Sequence, residues 1–182
     1  MSNLSLFKRR IKRHFKNASH TKGIYWYQNA HQYAVMLSNL TGYPLHTVIG
    51  VMAALSPNNK WERNKLDTEL FLNAPYLKTK VCTFMSQRKK AFNIVHNKLL
   101  PDEILKELNG TKTKNFFDNI YNYRLSQNVT VDMWAYRSCG VEQKTKYIKD
   151  ITLAYQQVAK ELKIMPHQLQ AVVWGVVRGS HE

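Results

Sequence analysis

Acidic residues are scarce in this chain and absent from its first third. Only 12 Asp and Glu stand against 27 Lys and Arg, and none precedes Glu62, while Lys8, Arg9, Arg10, Lys12, Arg13, Lys16, Lys22 and Lys60 do. The formal charge of +15 over 182 residues exceeds what solubility requires and is expected of a protein that neutralises phosphates. Nucleic acid is therefore the default partner, against the blander alternative of a ribosome-like or membrane-surface basic helix. Cysteine is nearly missing too. Cys82 and Cys139, far apart, offer no disulfide framework and point to a reduced, intracellular protein, with the cytosol expected. No apolar run is long enough to span a bilayer, and no signal-peptide pattern occurs, so no membrane is expected. His14, His20, His31, His46, His96, His167 and His181 show neither HExxH nor cysteine-paired spacing, so no metal and no cofactor are expected. GxxxxGK[ST] and GxGxxG are also absent, which argues against an NTPase or a dinucleotide enzyme.

What is present reads as helix nearly throughout. Leu4, Phe7, Ile11 and Phe15 fall at helical spacing with cations between them, predicting an amphipathic helix over Leu4–Lys16 within a basic arm at residues 1–20, its polar face open to phosphate. Further helices are predicted over Ile24–Leu40, Leu45–Leu55, Lys60–Leu72, Ser86–His96, Pro101–Leu108, Lys114–Tyr123, Lys144–Leu162 and Pro166–Val177, with another starting at Asp132. Only Val129–Val131 offers a short strand. The fold class is all-α, and the length suits a single domain over 1–182, expected to be a monomer.

The stretch from Leu108 to Arg137, LNGTKTKNFFDNIYNYRLSQNVTVDMWAYR, carries the most information. Leu108, Asn109 and Gly110 should close one helix and Thr111 to Lys114 form a tight turn. A second helix then follows, with Phe116, Phe117 and Ile120 on one face. Backbone N–H groups of such a turn, with the dipole of the following helix, make a phosphate seat indifferent to base sequence. Asp132 then stands directly before Met133, Trp134 and Tyr136. It suits an N-cap, and an ionised carboxylate fixed there also suits stabilising a positive sugar.

This block resembles the helix-hairpin-helix DNA glycosylases, the superfamily of endonuclease III and the 8-oxoguanine glycosylases. Without a gap, Leu108 and Gly110 fall on the Leu and first Gly of L-P-G-V-G-x-K, Lys114 on the lysine nucleophile of the bifunctional members, and Asp132 on their catalytic aspartate. A second register, anchored on Gly110, Thr111 and Lys112, makes Lys112 the candidate amine instead. ALSPNNKWERN (Ala54 to Asn64) looks like the substrate-side helix junction of that family, and SQRKKAFNIVH (Ser86 to His96) like its S-K-A-x-N-I segment. Two departures stand out: Asn109 replaces the Pro, and Lys112 the second Gly. Two cysteines exclude the iron–sulfur cluster of the endonuclease III branch. The pattern also looks like compact phage-encoded relatives, which would place the protein in a host cytoplasm.

The resemblance implies a two-lobed helical fold that binds double-stranded DNA in the cleft between its lobes. Asp132 would stabilise the oxocarbenium character that builds as an N-glycosidic bond breaks. Lys114 or Lys112 would be either a phosphate contact or a nucleophile forming a Schiff base, with strand cleavage to follow. Asn109, Gly110, Thr111, Thr113 and Arg137 would meet the DNA. Ser56, Asn58, Asn59, Trp61, Asn64 and Trp134 would line the pocket of a flipped base. Each of these also has a plain structural reading, as helix-to-helix turn or core. Two rivals remain: a phage enzyme that processes hypermodified pyrimidine nucleotides or DNA on the same fold, and a non-catalytic basic DNA-binding protein.

Overall fold

The structure, a computed structural model, describes residues 3–18 and 23–179. His20, Lys22, His181 and the ends of the basic 1–20 segment lie outside the described residues. Among those described, every regular element is a helix. In chain order they are α1 (Asn3–Lys16), α2 (Trp26–Thr41), α3 (Leu45–Leu55), α4 (Trp61–Asn73), α5 (Met85–His96), α6 (Pro101–Leu108), α7 (Thr111–Tyr121) and α8 (Met133–Ser138). After a 3-10 turn at Thr145–Tyr147 come α9 (Ile148–Leu162) and α10 (Pro166–Arg178). No helix among the described residues is long and apolar enough to cross a membrane.

The chain divides into two compact units, one within Met1–Asn29 and Asn122–His181, the other within Ala30–Tyr121. In the first, the apolar stripe of α1 does what its spacing predicts: Phe7 and Ile11 are fully buried among Tyr136, Cys139, Ile151, Tyr155, Val158 and Val173. Burying two such side chains contributes roughly 3–6 kcal/mol. Over Asn3–Lys16 the basic segment is therefore not a free arm but a helix seated on α8, α9 and α10. Arg10 fixes its crossing with α8 by donating to the Cys139 and Gly140 carbonyls at that helix's C-terminal end.

Val129–Val131 forms no strand. Its backbone is satisfied instead by a side chain: the Gln170 carboxamide of α10 accepts from Thr130 N–H at 2.9 Å and donates to the Thr130 carbonyl. Tyr27 Oη adds a contact to Thr130 Oγ1 at 3.5 Å. Two helices, α10 and α2, thus hold the extended chain that delivers Asp132.

The second unit is built around α3, whose residues from Thr47 to Leu55 are all buried and against which α4, α5, α6 and α7 pack. Gly50 permits the closest approach, since a Cβ there would meet Ile104 Cγ2 at 3.0 Å and Ile94 Cγ2 at 3.2 Å. Two helix starts follow from local chemistry. Pro101 and Pro166 occupy first-turn positions, and the side chains of Glu103 and Gln168 reach back to accept from the N–H groups of Leu100 and Met165.

Candidate functional site

The hairpin of the second unit is tighter than the sequence suggests. α6 ends at Leu108, α7 begins at Thr111, and only Asn109 and Gly110 lie between them. Thr111 to Lys114, expected as the turn itself, form the first turn of α7, with Lys114 N–H bonding Gly110 O at 3.0 Å. Thr113 accounts for the early start. Its hydroxyl, buried beneath the turn, donates to Gly110 O at 2.9 Å and reaches Leu108 O at 3.3 Å. Lys90 from α5 donates to the same Leu108 carbonyl at 2.8 Å, placing a cation at the C-terminal end of α6.

The unusual backbone angle falls on Asn109 (φ 60°), not on Gly110. With ψ at −38° and Gly110 N–H donating to Leu108 O at 2.7 Å, Asn109 is the centre of a γ-turn, at a φ that proline, fixed near −65°, cannot adopt. Asn109, in the place of the motif's proline, thus makes a turn that proline would forbid. The N–H groups of Thr111, Lys112 and Thr113 precede the first intrahelical donor, Lys114 N–H, and mark the positive end of the α7 dipole. Asn109, Gly110, Thr111 and Lys112 are exposed around it, while Lys114 is half-buried.

The junction from Ser56 to Asn64, also in the second unit, is ordered by a residue that the sequence reading passed over. Asp67 is fully buried. Its Oδ2 accepts from Asn59 Nδ2 at 2.9 Å and from Cys82 N–H at 2.8 Å, and its Oδ1 from Arg63 Nε at 2.8 Å. Thr83 adds a bond to the Pro57 carbonyl at 3.2 Å. The only advance sign was the Arg63 and Asp67 spacing of i,i+4.

The predicted pocket residues separate accordingly. Asn64 is buried at 1% exposure, with its amide donating to Met52 O at 3.1 Å and its carbonyl accepting from Thr68 Oγ1 at 3.3 Å. It belongs to the core, not to a base pocket. Ser56 caps α3 through a bond to Ala53 O at 2.9 Å. Asn59 is committed to Asp67 and to Leu55 O. Asn58 alone among the amides is exposed, lifted by its positive φ of 57°. Trp61 is half-buried, with Lys65 Nζ 5.9 Å from its ring centroid.

In the first unit, Asp132 is the N-cap of α8: Oδ1 accepts from Trp134 N–H and Ala135 N–H, both at 3.0 Å. These two backbone bonds fix the carboxylate at the start of the helix. Further along the helix, the Arg137 guanidinium lies 4.6 Å from the Trp134 ring centroid, an exposed cation over a half-buried aromatic ring. Asp132, Trp134 and Arg137 thus belong to one short helix and its cap, with Trp134 and Arg137 in contact, whereas Asn109 to Lys114 and Ser56 to Asn64 belong to the other unit. Gln170, which steadies the approach to Asp132, was also missed. Its one signal is a polar residue inside the apolar run from Leu169 to Val173. Among the described residues, no three of His, Cys, Asp and Glu gather to hold a metal ion.

No curated protein and no solved structure matches this chain. A family profile does match, over residues 2–181, and by it the chain belongs to DUF7178, a family of unknown function.

Proposed function

We propose that this protein is a helix-hairpin-helix DNA glycosylase-like enzyme that extrudes a damaged or modified base from duplex DNA and cleaves its N-glycosidic bond. The observation that carries this reading is the Asp132 carboxylate, held at the start of α8 by two backbone N–H groups, at the end of the block from Leu108 that resembles the glycosylase motif. Breaking a glycosidic bond builds positive charge at the anomeric carbon, and a fixed anion stabilises it without reorganising. Trp134 offers a flat surface for a base, and Arg137 an exposed cation for phosphate.

The α6–α7 turn supplies the phosphate contact. The N–H groups and dipole at the start of α7, where Thr111 and Lys112 are exposed, suit an anion, and Lys112 and Lys114 add charge. Base hydrolysis assisted by Asp132 is the core of the reading. Lyase chemistry would further require an amine within reach of the anomeric carbon, for which half-buried Lys114 and exposed Lys112 are the two candidates.

Mass spectrometry of bases released from normal, damaged and hypermodified duplexes tests this function. Release of one base by the wild type and not by Asp132→Asn is the expected result. Silence across the panel, with duplex binding intact, would overturn it in favour of a non-catalytic DNA-binding protein.

A further inference from the structure

The outward face of α1 has a different character from the hairpin and from α8. Its residues divide by direction. Phe7 and Ile11 point into the core, Arg10 turns sideways to the carbonyls of Cys139 and Gly140, and Lys8, Arg9, Lys12, Arg13 and Lys16 form one stripe at helical spacing. An open depression of about 590 Å³ runs along this stripe, lined by those five cations and Ser5. Among the described residues, one carboxylate answers them. Glu161 of α9 takes Lys8 at 3.0 Å and also Lys12, and these two bonds hold its carboxyl below the usual carboxylate range. Arg9, Arg13 and Lys16 are exposed and pair with no carboxylate among the described residues.

Such an arrangement opposes helix stability, since like charges at i,i+4 repel by a few tenths of a kcal/mol per pair. Solubility alone calls for mixed signs, not one uncompensated stripe. A polyanion relieves the repulsion. From Ser5 to Lys16 the stripe runs roughly 16 Å, a length of duplex that carries about ten phosphate charges. The same helix is unsuited to a bilayer surface, because interfacial helices bury their apolar face in lipid and the apolar face of α1 is already spent on the core.

We propose that the Arg9, Arg13 and Lys16 stripe, flanked by Lys8 and Lys12, is a preformed docking surface for the phosphate backbone of duplex DNA, indifferent to base sequence and separate from the proposed chemistry at Asp132. Glu161 sets its strength by holding two of the five cations. The inference does not depend on base removal. It concerns binding alone and is read equally on the wild type and on Asp132→Asn.

The test is the salt dependence of duplex affinity, by fluorescence anisotropy on several unrelated sequences. Each phosphate contact contributes about 0.9 to the slope of log K against log salt. The triple variant Arg9→Gln, Arg13→Gln, Lys16→Gln should flatten the slope by roughly 2 to 3 on every sequence. Glu161→Gln, which frees Lys8 and Lys12, should steepen it by up to roughly 2. Circular dichroism checks that the triple variant folds, and if it does not, the gain in Glu161→Gln decides alone. Unchanged slopes in both variants, or an effect confined to one sequence, overturn the proposal. So does loss of binding to phosphatidylserine vesicles by the triple variant while its duplex slope stands.

Discussion

Gln170 is paired with both backbone polar groups of Thr130, its carboxamide accepting from the N–H and donating to the C=O in place of the neighbouring strand that Val129–Val131 lacks. Both residues are about 5% exposed, so water does not replace the pairing when it is broken. Gln170→Ala would leave a buried N–H and a buried C=O unsatisfied, at about 1–3 kcal/mol each before relaxation. The expected loss is roughly 2–4 kcal/mol, or a Tm lower by about 5–12 °C for a chain of this size. Thermal unfolding checks it. Because Asp132 follows two residues later, the variant should also lose activity in proportion to the disturbance of the α8 cap.

Asp67 governs the other unit. Its three partners are all donors, so an acceptor-only carboxylate fits and any neutral substitute does not. Asp67→Asn must turn its NH₂ toward one of them. The Arg63 side chain, 49% exposed, swings away at least cost, for a loss of about 1–2 kcal/mol. Asp67→Ala strands Asn59 and Cys82 N–H as well and should cost about 2–4 kcal/mol. Urea midpoints should rank wild type above the Asn variant and the Asn above the Ala variant. An Asn variant with the wild-type midpoint would show that the carboxylate contributes only volume.

Capping by Asp132 and its proposed catalytic role are separable because asparagine caps a helix as well as aspartate does. Asp132→Asn should leave Tm nearly unchanged and abolish base release. Asp132→Ala should abolish release and also cost about 1 kcal/mol of stability. If Asp132→Asn releases base at the wild-type rate, Asp132 is a cap and nothing more.

Burial distinguishes the two lysines where sequence registers do not. Lys112 is exposed at the first turn of α7, and Lys114 is half-buried one helical step further on. If the enzyme cleaves the strand, borohydride should trap a protein–DNA adduct in Lys112→Gln and fail in Lys114→Gln. The opposite pattern would place the nucleophile at Lys112, and trapping in both would remove each from that role. Either substitution should weaken duplex binding modestly, as loss of a phosphate contact does.

The sequence was most legible where periodicity was strong. Pro101–Leu108 and Leu45–Leu55 fall on their predicted residues, and most other helices differ by a few residues at their ends. At Thr111 the prediction failed because a Thr-Lys-Thr-Lys stretch after Gly reads as loop by composition, while the Thr113 hydroxyl turned it into a helix start. Val129–Val131 has strand composition, but its partner turned out to be a side chain, which no local pattern reveals. Asn64 was misassigned for a similar reason: an asparagine that satisfies a carbonyl across two helices looks in sequence like one aimed at a ligand. Asp132 was legible because the cap is a local device, written in residues 132 to 135.

Two buried acids of the first unit give the fold an alkaline limit. Cys139 is fully buried, and desolvation pushes its thiol from about 9 up to about 12. Tyr155 is held well above its usual value near 10, mainly by burial and then by the charges of Cys139 and Asp132. Its hydroxyl is 2.8 Å from Ser138 Oγ. Both groups keep their protons longer in the folded chain than in the unfolded one. Their contribution to stability is therefore complete below pH 9 and is lost as pH rises toward 12, first through Cys139 and then through Tyr155. Denaturant midpoints should be flat from pH 7 to 8.5 and fall beyond it. Cys139→Ala should delay the onset toward the tyrosine range. The same burial makes a kinetic prediction, since a thiolate and not a thiol reacts. Exposed Cys82 should react with an aromatic disulfide reagent in the native protein, and Cys139 only after unfolding. Two fast thiols under native conditions would mean that the core around α8 opens far more readily than its packing implies.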